Sequence, residues 1–120
     1  MRLLMLIVVL LVSGAAVPVV AGPLEDGLEA YEKGDYATAL RLWRPLAEQG
    51  NADAQSNLGT MYYKGQGLTQ DYVQAHMWWN LSAAQGNANA TKNRDLIAAK
   101  MTPAQIEQAQ RLAREWRPNR

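Results

Sequence analysis

The chain has 120 residues, and its 12 Lys and Arg against 11 Asp and Glu leave a formal charge of +1 with a single histidine. So small an excess argues against general electrostatic capture of nucleic acid or anionic lipid. The lack of cysteine removes disulfides, thiolate metal sites, cysteine nucleophiles and lipoprotein acylation together.

Met1-Arg2, the apolar run Leu3 to Val12 and the small-residue tail from Ser13 to Ala21 have the three zones of a secretory signal peptide. Val19-Val20-Ala21 predicts cleavage after Ala21, so residues 1–21 are expected to leave a periplasmic or secreted chain beginning at Gly22. The alternative is an uncleaved membrane anchor over residues 3–21. Against it, Ser13, Gly14 and Pro18 weaken the apolar character that a spanning helix needs. The remaining 99 residues, 22–120, form one small domain.

Leu24 to Lys33 is rich in helix-favouring residues and stops at Gly34, suited to a left-handed C-terminal cap. Asp35 suits the N-cap of a second helix that Gly50 closes. There Ala39, Leu42, Trp43, Leu46 and Ala47 form a single apolar stripe at helical spacing. The stripe returns in Ala75, Trp78, Trp79, Ser82 and Ala83, and again in Ala109, Leu112, Ala113 and Trp116. A helix of a second kind precedes each later stripe. Ala54, Leu58, Met61 and Tyr62 stripe the one from Ala52 to Lys64, and Gly59 allows close approach of a neighbour. The other, Ala88 to Met101, carries Arg94 and Asp95 in place of Leu58 and Gly59. Thr102-Pro103-Ala104-Gln105 is a capping-box start for the last helix.

A shift of 36 positions makes the repetition explicit, giving eleven identities in the 23 positions from Asp35 to Asn57, among them Asp35 with Asp71, Trp43 with Trp79 and Gly50 with Gly86. A period of that size signals stacked supersecondary units. Six helices in three antiparallel pairs, about 23–50, 51–86 and 87–117, make the expected fold all-α.

Residues 52–86 resemble the Sel1-like repeat nearly throughout: Ala54, Leu58-Gly59, Met61-Tyr62, Gly65, Gly67, Asp71-Tyr72, Ala75, Trp79, Ala83-Ala84 and Gly86 stand where that pattern expects them. Gly27, Tyr31, Gly34-Asp35-Tyr36, Ala39 and Trp43 look instead like the related tetratricopeptide pattern. Residues 101–116 look like the closing helix of small Sel1-like proteins. The resemblance implies a right-handed α/α superhelix, an α-solenoid, that serves as an interaction scaffold.

Little in the sequence points to catalysis, a metal or a cofactor. His76 has no His or Cys to join it as a metal ligand. Its surroundings on a predicted helix suggest a surface or half-buried side chain. No Ser lies in a nucleophile elbow, and the 11 acids offer no convergent pair for glycoside hydrolysis. Gly65-Gln66-Gly67 lacks the third glycine and preceding strand of a phosphate loop, so it is expected to end a helix. The expected function is an exported adaptor for a protein or peptide partner; the alternatives are a self-assembling homo-oligomeric subunit and, least of all, a cell-envelope hydrolase. The first helix of each pair lines the concave side in solenoids of this type, which nominates Asn57, Thr60, Tyr63, Lys64 and Asn93 as partner-binding residues. Trp78 joins them because two adjacent Trp residues cannot both point straight into one core.

Overall fold

The computed structural model describes residues 21–119, so the leader expected over 1–21 lies outside the described residues but for Ala21. Within them, six α-helices and no strand follow in order: α1 (Pro23–Glu32), α2 (Tyr36–Glu48), α3 (Ala52–Lys64), α4 (Tyr72–Ala84), α5 (Ala88–Ala98) and α6 (Pro103–Glu115). The all-α array of helix pairs is as the spacing predicts. α5 ends three residues earlier than the expected Met101, because the chain turns at Ala99 and Lys100, where Lys100 N donates to Ile97 O.

Local chemistry sets the boundaries. The side chains of Asp35, Asn51, Asp71, Asn87 and Thr102 each accept a hydrogen bond from the backbone N–H three residues on, satisfying a donor that the helix itself leaves free. Gly50 at φ +104° and Gly86 at φ +97° turn the chain between units in a region where a side chain is strained. Gly65 and Gly67 also have positive φ, and Gly67 abuts the backbone of Tyr36. The Gly65-Gln66-Gly67 stretch is thus a helix stop and loop.

Packing runs α1 on α2, α2 on α3, α3 on α4 and α4 on α5. The third pair departs from the expected hairpin, since the chief neighbour of α6 is α4 rather than α5. α4 is therefore covered on every side, and the five consecutive residues Ala75 to Trp79 are all buried. This places His76 in the core, not on the surface or half-buried as its sequence context suggests. A polar seam also joins the first two units: buried Gln55 donates from Nε2 to Ala47 O (3.1 Å), and Gln85 Nε2 donates to Gln55 Oε1 (2.9 Å) and Gly50 O (3.0 Å). Ser82 Oγ closes it on Ala52 O at 2.7 Å.

Candidate functional site

The same glycine and tryptophan couple closes each of the first two hairpins. A Cβ on Gly27 would stand 2.2 Å from Trp43 Nε1, and one on Gly59 2.6 Å from Trp79 Nε1, so neither position has room for any side chain without displacing the indole. Each indole N–H then donates to the carbonyl three residues before its glycine, Trp43 to Leu24 O and Trp79 to Ser56 O, both at 3.0 Å. The couples lie 32 residues apart at glycine but 36 at tryptophan. The difference is the longer α3–α4 loop, 65–71 against 33–35.

One turn past each glycine a tyrosine covers the outer edge of the tryptophan. The ring centroids are 5.6 Å apart for Tyr31 and Trp43 and 5.8 Å for Tyr63 and Trp79. These aromatic pairs floor two grooves between successive leading helices. α3 packs strongly on α2 and α4 rather than on α1 or α5, so the clefts flanking it stay open. The α1–α3 groove, about 90 Å³, is lined by Leu28, Tyr31, Trp43, Asn57 and Thr60. The α3–α5 groove, about 260 Å³, is lined by Tyr63, Trp79, Asn93, Leu96, Ile97 and Lys100.

Among the described residues, Leu28 and Leu96 are the large hydrophobic side chains left exposed, 49% and 61%, and each sits in one of the two grooves. A leucine at a groove mouth presents apolar area that a partner can remove from water. Lys100 sits at the rim of the larger groove, its Nζ 3.4 Å from the Tyr63 hydroxyl and 5.8 Å from the centre of the ring.

The grooves bring together four of the nominated residues, Asn57 and Thr60 in one and Tyr63 and Asn93 in the other. Lys64 is exposed but lines neither. Trp78 is corrected from partner-facing to core, being 5% exposed, because α6 crosses its side of α4 and Trp116 meets it edge-on with centroids 6.4 Å apart. Leu28, Tyr31, Leu96 and Lys100 were missed. The repeat itself carried a signal for two of them, since Tyr31 precedes Tyr63 by 32 positions and Lys100 follows Lys64 by 36.

Chemistry of other kinds finds no assembled site. Among the described residues no group of three or more His, Asp or Glu side chains is placed to hold a metal ion. His76 Nδ1 and Trp78 Nε1 are buried without a hydrogen-bond partner. Burial, and secondarily the Arg94 guanidinium, hold the His76 pKa below the ordinary histidine value, with Asp95 opposing them. That favours a neutral imidazole in the core. No helix among the described residues is long and apolar enough to cross a membrane.

The sequence profile of the Sel1 repeat matches residues 22–51 and 52–87, which between them hold both glycine and tryptophan couples. The chain belongs to the Sel1 repeat family. The first unit, which resembles the tetratricopeptide pattern, is thus matched as a Sel1 repeat as well. Sel1 repeats are in general protein-interaction modules rather than catalysts. The chain is also similar to the uncharacterized protein NMB1327 of Neisseria meningitidis serogroup B, 57% identical over 35 residues. That match covers 29% of this chain and 8% of the relative, so it speaks to one repeat and not to the whole of either protein.

Proposed function

We propose that this Sel1 repeat chain is an exported adaptor that holds a protein or peptide segment across the face formed by α1, α3 and α5. The observation that carries the reading is the pair of repeat-equivalent grooves, each floored by a tyrosine and tryptophan and each holding one exposed leucine. Tyr and Trp supply large contact area at low entropic cost, as the anchoring positions of interfaces require. Export rests on the leader pattern of residues 1–21. Catalysis has no part in the reading.

Crosslinking in intact cells, affinity capture and mass spectrometry test it. Asn57→Ala and Tyr63→Ala should each reduce capture of the same partner while Arg111→Ala, exposed on α6 and lining neither groove, leaves it intact. Capture indifferent to both groove substitutions would sink the assignment of this face, provided each variant retains the helical circular dichroism of the parent. The same sample should give a mature N-terminus at Gly22; an intact Met1 would overturn the cleavage. Light scattering of the purified protein separates the adaptor from a self-assembling subunit, which would show a mass rising with concentration.

A further inference from the structure

We infer that the segment held across this face carries opposite charges at its two ends. One apolar side chain set among Lys or Arg meets the α1–α3 groove, and a larger one set among Asp or Glu meets the α3–α5 groove. The inference rests on the adaptor reading above and names the ligand chemistry of that face.

The repeat register places the charges. Steps of 32 and then 36 residues carry Leu28 to Thr60 to Leu96, Glu25 to Asn57 to Asn93, and Glu32 to Lys64 to Lys100. The two exposed leucines therefore hold the same place on α1 and α5, with uncharged Thr60 and Asn57 on the helix between them. What surrounds each leucine differs in sign. Residues three and four apart are neighbours on a helix surface. Leu28 thus lies between exposed Glu25 and Glu32, and Leu96 between exposed Lys92 and Lys100. Over its whole length α1 carries four carboxylates and no cation, whereas α5 with Lys100 just beyond its end carries three cations and one carboxylate.

Pairing inside the chain leaves that difference standing. Lys33 pairs with Glu29 at 2.9 Å, and Arg94 takes Asp95 at 3.1 Å. Glu25 Oε1 accepts from Gly22 N at 3.0 Å and so serves its own helix start. Glu32, Lys92 and Lys100 have no ion-pair partner among the described residues. Lys100 Nζ is held 5.8 Å from the centre of the Tyr63 ring at the rim of the larger groove, and no acidic side chain lines that groove. A cation on the ligand is thus attracted over α1 and repelled over α5, and an anion the reverse. Complementary rims of this kind steer the encounter and fix the orientation more than they add affinity. Size selection agrees with charge selection, since the groove beside the carboxylates measures about 90 Å³ and the one beside the lysines about 260 Å³. The selection acts on side-chain order, whatever the backbone conformation of the ligand.

Selection of a random peptide display library on the purified full chain tests this, followed by fluorescence polarisation with labelled winners. Enriched peptides should carry Lys or Arg around a small apolar residue and Asp or Glu around a leucine or aromatic. Glu32→Gln should cost such a peptide about two- to fivefold, more at low salt, and leave the peptide whose Lys and Arg are replaced by Gln unaffected. Lys100→Gln should do the same for the acidic end, and the crossed combinations should be additive. Enriched peptides that are neutral or of one sign, or cycles additive at both ends, overturn the inference while the adaptor reading stands. A library that yields no binder, or peptides indifferent to both Asn57→Ala and Tyr63→Ala in variants that keep the parent's melting temperature, overturns both. A light-scattering mass that rises with protein concentration and falls again with salt assigns the face to a second copy, whose α1 and α5 offer the same two charges, and likewise overturns both.

Discussion

In the first two units a glycine on the leading helix and a tryptophan on the trailing helix occupy one space; in the third unit exposed Asp95 stands for the glycine, and Ala113, half-buried, stands in the apolar stripe where Trp79 stood. α1 and α2, and likewise α3 and α4, close as hairpins, while α6 leaves α5 and lies on α4. Short connections join α1 to α2 (33–35) and α5 to α6 (99–102) alike, yet only the first of these pairs closes, so connection alone does not close a pair. Closure needs the missing Cβ and the indole that fills its place. Where both are lost, α6 becomes a cover for α4, where Trp116 shields Trp78.

The comparison can be broken most directly at Trp79. Trp79→Ala removes the filler of the second hairpin and the donor to Ser56 O, and should cost about 3 to 5 kcal/mol in urea denaturation. A loss below about 1 kcal/mol would mean that the couple is not what closes the pair. Gly59→Ala should cost about 1 to 3 kcal/mol by overpacking, although alanine is the better helix former by about 1 kcal/mol. In a Trp79→Leu background the penalty should shrink or change sign, and a double-mutant cycle that returned simple additivity would refute the shared space. Asp95→Ala, in the unit without the couple, should stay within about 0.5 kcal/mol.

Trp116→Ala probes the other side of the comparison. It should cost about 1 to 2 kcal/mol from lost aromatic contact and speed hydrogen exchange in α6 while α1 to α3 remain protected. Equal deprotection throughout would show that α6 is part of one indivisible array. The smallest effect expected is the pH dependence carried by His76. Its pKa is lowered in the fold, so below the ordinary value of 6.5 the unfolded chain binds the proton first and stability falls with pH until the folded value is passed. Above that range its stabilising contribution is complete. Melting temperature measured between about pH 5 and 8 should decline on the acid side, and His76→Leu should flatten the decline. A parent curve that is flat or rises toward acid would contradict a neutral buried imidazole.

Much of the candidate site was legible because it is periodic. Asn57 and Asn93, offset by 36, fall on leading helices by pattern, and both line grooves. Leu28 and Leu96 were not legible, since a leucine on an amphipathic helix reads as core until its neighbours are known. Trp78 failed for the opposite reason. Its exposure was argued from one face of α4, and the covering of the second face by α6 is a contact between segments far apart in sequence.

Helix number, the Sel1 repeat register and the helix boundaries other than the end of α5 were determined by the sequence alone, because each depends on residues within a turn or at a fixed period. Where α6 rests, which glycines meet indoles, and which leucines stay in water were decided only by the tertiary structure. The physical reason is that close packing is a property of both surfaces at once: Gly59 has no preference for Trp79 until α3 and α4 are side by side, and α5 has nothing to reject α6 with except the side chains that fill that space.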